Sequence, residues 1–227
     1  MASERVELYS VYERVWHWMQ AIFILAMMWT GWCIHSPDSW MSIPFAYAVT
    51  THNVLGFLVL VNAAFGLFYY LATGTIRQYL PRPHGFGVLA VKQARYYLHG
   101  IFRREPHPLE KTAESRLNPL QQLTYLMILN ILLPMQVASG MLMWSGRLWP
   151  EEMLAVGGVA LLSSLHTLGA WLFAGFVIAH IYLTTTGHTL TSNLRAMIWG
   201  YEVLPVHGTG SAQHASAVLS TPTETHS

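Results

Sequence analysis

Long apolar runs separated by short polar breaks dominate the chain, and the runs predict four helices. The first extends from Arg14 to about His35, with an uncharged apolar centre from Ala21 to Trp32. A short loop from Ser36 to about Pro44, with Pro37 and Asp38, leads to the second, from about Phe45 to Ala72. The third covers about Pro119 to Trp144, where Pro134 predicts a kink of the kind membrane helices tolerate. Ser145 to Gly158, with Arg147, Glu151 and Glu152, forms a second short loop before the fourth run, Leu161 to Thr186. That last run holds no Asp, Glu, Lys or Arg. A helix needs about 20 apolar residues to cross a bilayer, and each run approaches or exceeds that length.

The polar segments complete the plan. Met1 to Glu13 is a short polar lead, and the first run, lacking a convincing cleavage site, reads as a retained helix rather than a signal peptide. Thr73 to Leu117 is the one long hydrophilic stretch. Within it, Gly87 to Phe102 mixes Leu89, Tyr96, Tyr97 and Ile101 with Lys92 and Arg95. That mixture suits an interfacial helix or a plain solvated connector. Asn193 to Tyr201 is a candidate for a second short surface helix. Residues 207–227, rich in Ser, Thr, Ala and Gly, read as a disordered tail behind a membrane domain of residues 1–206. No internal repeat is visible. The expected fold class is an all-α integral membrane protein, a four-transmembrane-helix bundle with one or two short interfacial helices.

Composition agrees with that class. Charged residues make up 10% of the chain and apolar ones 53%, whereas a soluble domain carries about 25% charged residues. The formal net charge of +1 says little as a total, and no nucleic-acid partner is expected. Its distribution says more. With four spans, both termini and the long middle loop share one side, and of the 12 Lys and Arg only Arg147 falls on the other. The positive-inside rule makes that side cytoplasmic, so in a bacterial inner membrane the two short loops face the periplasm. The single cysteine, Cys33, excludes disulfides within the chain and Cys-rich zinc or iron–sulfur sites. Without a Cys-x-x-Cys-His motif, covalently attached c-type haem is excluded as well.

Histidine is as abundant as Lys and Arg together, 12 against 12. His166 and His180 lie fourteen residues apart on the fourth helix, about 21 Å along its axis and about 40° from eclipsed. Both imidazoles therefore leave one face, one near each membrane surface. His17 near the start of the first helix shares the cytoplasmic level with His180, and His52 near the start of the second shares the periplasmic level with His166. Each level pair is placed to clamp one metalloporphyrin, since neutral imidazole ligates through one nitrogen while the other is anchored. Bis-His ligation leaves no open position on iron and favours electron transfer over oxygen chemistry. Gly31, Gly56, Gly66, Gly140 and Gly169 give room for a flat macrocycle. Zinc fits poorly, because it wants three or four ligands at one depth. His35, beside Pro37 at the end of the first helix, is the rival ligand at the periplasmic level. Interfacial or hydrogen-bonded histidines are the alternative for each position. His84, His99, His107, His207, His214 and His226 read as solvated. His188, eight residues past His180, either exchanges protons with a quinone or caps the helix end. Arg14, one turn before His17, either pairs with a haem propionate or anchors the helix at the cytoplasmic surface.

Glu-Arg-x-x-His-Trp at 13–18, a histidine opening the second span, Asn-Pro-Leu-Gln-Gln at 118–122 and the His-x13-His pair of the fourth span form a combined pattern. It resembles the di-haem cytochrome b subunits of formate dehydrogenase, thiosulfate reductase and nickel–iron hydrogenase complexes over about residues 8 to 202. The Gly-His-Thr to Tyr-Glu ending at 187–202 is most similar to the thiosulfate-reductase-type branch. The resemblance implies two non-covalent b haems on His17, His180, His52 and His166. It also implies a quinone pocket beside the cytoplasmic haem, at His180 and Asn118 with Gln121 close by. Leu120 stands where the formate dehydrogenase pattern has glycine, so the shape of that pocket departs from the family's. Menaquinone or ubiquinone would be the exchangeable substrate. The partner would be a periplasmic redox subunit: an iron–sulfur or multihaem c-type protein, or a reductase, dehydrogenase or hydrogenase assembly.

The expected function is thus a membrane anchor that carries electrons between quinone and a periplasmic partner chain, on which substrate chemistry resides. A stand-alone di-haem ferric or ascorbate-type reductase usually takes matched ligand pairs from two helices, and here the first and second helices supply one each. A haem-free transporter would need charged residues in its spans to mark an ion pathway, and past Arg14 at the start of the first the spans carry none.

Overall fold

The computed structural model describes residues 3–80, 86–100, 103, 118–146, 148–186 and 189–205. His188 and the tail 207–227 lie outside them. Helix α1 (Val11–His35) begins at a capping box. Ser10 Oγ accepts from the Glu13 amide at 3.2 Å, and Glu13 Oε2 accepts from the Ser10 amide at 2.7 Å. These two bonds satisfy donors that every helix start leaves orphaned. Ser10 Oγ also meets Tyr69 Oη at 3.0 Å, tying the cap to the end of α2 (Phe45–Ala72). Ser10→Ala therefore loses a cap worth about 0.5–2 kcal/mol together with a tie between helices. The apparent melting temperature in detergent is expected to fall by several degrees, and an unchanged melt would show the box to be dispensable.

α1 and α2 form an antiparallel hairpin whose contacts step down one helix as they climb the other. Tyr12 Oη donates to Phe65 O at 2.9 Å, Trp16 Nε1 to Asn62 O at 2.7 Å, and Asn62 Nδ2 to Gln20 Oε1 at 2.7 Å. Asn62 is buried, so this network supplies the partners its amide requires. The Trp16 indole lies directly on Gly66: a Cβ there would sit 2.5 Å from Cε2 and Nε1. Small residues let membrane helices approach in this way.

Beyond α2 the hydrophilic connector contains α3 (Phe86–Arg95), extended by a π-helical turn at Tyr96–Gly100. The stretch that suited either a helix or a plain connector is thus helical. It packs on α4 (Pro119–Met127) and leaves Val88, Val91 and Leu98 exposed. α4 runs through a π-helical turn, Ile128–Leu132, into α5 (Leu133–Ser145). Pro134 sits in the first turn of α5, and the irregularity predicted for it is taken up immediately upstream. Its missing N–H would have bonded near Asn130, inside the π turn, and such turns re-phase the helix that follows. A short α6 (Pro150–Ala155) leads to α7 (Gly158–Thr184), followed by α8 (Ser192–Trp199) near the predicted second surface helix.

Strand β1 (Ser3–Glu7) pairs antiparallel with β2 (Tyr201–Pro205), with Ser3 opposite Pro205 and Glu7 opposite Tyr201. The sequence reading gave no strand here and took the start of the chain as a polar lead. Five residues carry too little alternation to signal a strand, and the partner lies almost 200 residues away.

Three helical rods are long and apolar enough to cross a membrane: Phe45–Ala72, Pro119–Ser145 and Gly158–Thr184. α1 has 25 residues, but Glu13, Arg14, His17 and Gln20 in its first turns shorten its apolar part. Large apolar side chains face outward along the rods, among them Phe68, Trp171 and Ile178 at 73%, 57% and 71% exposure. So much exposed apolar surface suits lipid rather than water.

Candidate haem sites

α7 carries half of each site. His180 faces His17 of α1 with ring centroids 6.1 Å apart and planes at 45°. His166 faces His52 of α2, again with centroids 6.1 Å apart, and planes at 74°. Imidazole nitrogen binds a transition metal at about 2.0–2.1 Å, so two rings ligating one metal in line have centroids roughly 6 Å apart. Both pairs have that spacing. Among the described residues no three His, Cys, Asp or Glu side chains gather at a point. His35, the rival ligand, is exposed at the end of α1, while His52 and His166 meet each other. All four paired histidines are half-buried.

The second nitrogens are held differently at the two levels. His52 Nδ1 lies 3.0 Å from Thr30 Oγ1 of α1, and His166 Nδ1 lies 3.0 Å from Ser139 Oγ of α5. His17 Nδ1 is buried and has no hydrogen-bond partner among the described residues. The rings at the first level also rest on glycine. A Cβ at Gly31 would lie 3.4 Å from His52 Cε1, and one at Gly140 3.1 Å from His166 Cε1.

The family model described as prokaryotic cytochrome b561 matches residues 8–200, a segment that includes all four histidines. The chain belongs to that family. A curated relative in Escherichia coli (strain K12), named "Putative cytochrome YdhU", is 34% identical over 209 residues, which cover 88% of this chain and 75% of the relative. No solved structure matches. The protein is therefore a cytochrome b561-type membrane haem protein, and haem b is the group the family binds. Its residues fit that group: each pair has the spacing of two axial ligands, and at one level both outer nitrogens are already anchored.

Among the described residues, the other predicted site residues of this cytochrome, Arg14, Asn118 and Gln121, are bonded within the protein. Arg14 donates from Nη1 to Ile198 O at 2.7 Å and from Nε to Ser10 O at 3.4 Å, which joins α1 to the end of α8. Asn118 and Gln121 form a reciprocal capping box at the start of α4. Asn118 Oδ1 accepts from the Gln121 amide at 2.9 Å, and Gln121 Oε1 accepts from the Asn118 amide at 3.1 Å. Asn118 Nδ2 also donates to Tyr97 Oη at 3.0 Å, which joins the turn after α3 to α4. Burial pushes the Tyr97 phenol pKa up, so it stays neutral and can accept that bond.

Of the five glycines assigned to macrocycle clearance, Gly31 and Gly140 seat the imidazoles themselves. Gly56 faces Met27, Gly66 faces Trp16, and Gly169 faces Gln136. Aromatic rings continue away from His180 through Phe176, Tyr125, Tyr79 and Tyr70 to Trp16. Sequence reasoning missed Thr30 and Ser139. The available signal was a hydroxyl residue followed by glycine, Thr30-Gly31 and Ser139-Gly140, in two separate spans.

Proposed function

We propose that this cytochrome is the membrane anchor of a redox complex, with two b haems that relay electrons between quinone on the cytoplasmic side and a periplasmic partner subunit. The observation that carries the reading is the repetition of one geometry: two histidine pairs, each at 6.1 Å, fourteen residues apart along α7. At about 1.5 Å per residue the two levels are separated by about 21 Å. Haem, when bound, would supply a one-electron iron couple, with His17 and His180 to hold it at one level and His52 and His166 at the other. The protein's own contribution is to hold four imidazoles at two fixed depths.

The strand pair supports four crossings. β1 precedes α1 and β2 follows α8, and their backbone hydrogen bonds require both strands on one side of the bilayer. That arrangement favours an even number of crossings between them. Three rods have the composition of a span, and we take α1, bonded along α2, as the fourth. The basic residues then favour cytoplasmic termini in a bacterial inner membrane. Asn118, Gln121 and His180, with His188, are the proposed surroundings of a menaquinone or ubiquinone headgroup. An iron–sulfur or multihaem c-type subunit, of thiosulfate-reductase type or a relative of it, is the proposed partner.

Reduced-minus-oxidised spectra with pyridine haemochrome quantification test this reading. Two b haems per chain are expected, both reduced when a short-chain menaquinol is added. A colourless protein would overturn the haem assignment, and pigment indifferent to quinols would overturn the quinone link.

A further inference from the structure

Thr30 and Ser139 each lie within reach of more oxygen acceptors than their one proton can serve. Thr30 Oγ1 is 3.0 Å from Ala26 O and 3.1 Å from Met27 O. Ser139 Oγ is 2.7 Å from Met135 O and 3.2 Å from Gln136 O. A carbonyl oxygen can only accept, so each hydroxyl has an acceptor for its proton within its own helix. With the proton there, each hydroxyl offers the histidine only lone pairs. In that arrangement Nδ1 of His52 and of His166 carries the proton and donates it, which leaves each Nε2 unprotonated. That is the tautomer in which Nε2 can bind iron.

The arrangement is two-fold. In both cases the hydroxyl lies on a helix packed beside the one bearing the histidine, and the next residue is a glycine on which the ring rests. At the other level His17 Nδ1 is buried with no partner among the described residues. A ligand whose outer N–H is hydrogen-bonded is the more basic donor, and a more basic donor favours ferric over ferrous iron.

We propose that Thr30 and Ser139 are positioning residues that fix the ligating tautomer of His52 and His166 and lower the midpoint potential of the haem between them relative to the other haem. This rests on the two-haem reading above.

The test uses Thr30→Val and Ser139→Ala in the purified full-length haem protein, with haem counted first and both midpoint potentials then titrated. With both haems retained, one potential should rise and the other stay put. The expected size is a roughly tenfold larger ferrous-to-ferric ratio at fixed ambient potential, about 59 mV for a one-electron couple. The double variant should move the same haem further. Thr30→Ser restores the hydroxyl and should restore the potential. Ser164→Ala removes an exposed α7 hydroxyl bonded only to Ala160 O and should shift neither haem. Two unmoved potentials in a protein holding both haems, or a Thr30→Ser variant that behaves like the valine, would overturn the proposal. Absence of haem from the unsubstituted protein would instead overturn the reading beneath it.

Discussion

On the proposed two-haem reading, His166→Ala should halve the haem content, from two per chain to one, while the visible spectrum keeps its b-type shape. The imidazole of His166 faces His52 and no other paired histidine. Its removal leaves His52 as a lone ligand and opens a cavity where the second one stood. His17 and His180 are about 21 Å away along α7 and share no hydrogen bond with that site. Pyridine haemochrome measured against protein mass gives the count directly. Retention of both haems would point to a replacement ligand, and exposed His35 at the end of α1 would be the first to substitute next.

Gly66→Ala should be the most damaging single-methyl addition in the first hairpin. The new Cβ would lie 2.5–2.6 Å from three atoms of the Trp16 indole, a rigid ring that cannot fold away. That indole is also fixed by its bond to Asn62 O, one turn away on α2. Overpacking of this kind costs about 1–3 kcal/mol, and Trp16 immediately precedes His17. The variant should melt several degrees lower in detergent and lose haem from the His17–His180 site in preference to the other. Gly175→Ala is the matched control, because nothing lies within 4 Å of a Cβ there. Equal melting of the two variants would mean that the Trp16–Gly66 contact does not set the hairpin spacing.

The sequence made the rods legible because a span announces itself over twenty residues of one chemical character. The histidines could be sorted by depth for the same reason: once the rods alternate in direction, position along each rod becomes height in the membrane. Three rods are recognised by composition, and α1 is the exception because Glu13, Arg14, His17 and Gln20 crowd its first turns. What stayed hidden depends on partners remote in sequence. Thr30 reads as an ordinary polar residue until α2 brings His52 beside it, 22 positions later. Ser139 needs α7 in the same way. Asn118 and Gln121 show how one spacing serves two readings. Asn-Pro-Leu-Gln opens a helix with a capping box on local grounds alone, whether or not a quinone ever approaches it.

The strand pair also constrains the order of assembly. β1 is synthesised first and β2 last among the described elements, so Ser3–Glu7 must remain unpaired until Tyr201–Pro205 has been made. Non-local pairings form only after the intervening chain has been closed into a loop. Here that loop contains every described helix and both histidine pairs. The clasp can close only once the returning end of the chain has come back to the same face of the membrane. Protection of the β1 amides from hydrogen exchange would therefore report complete insertion, with no need to look at the haem.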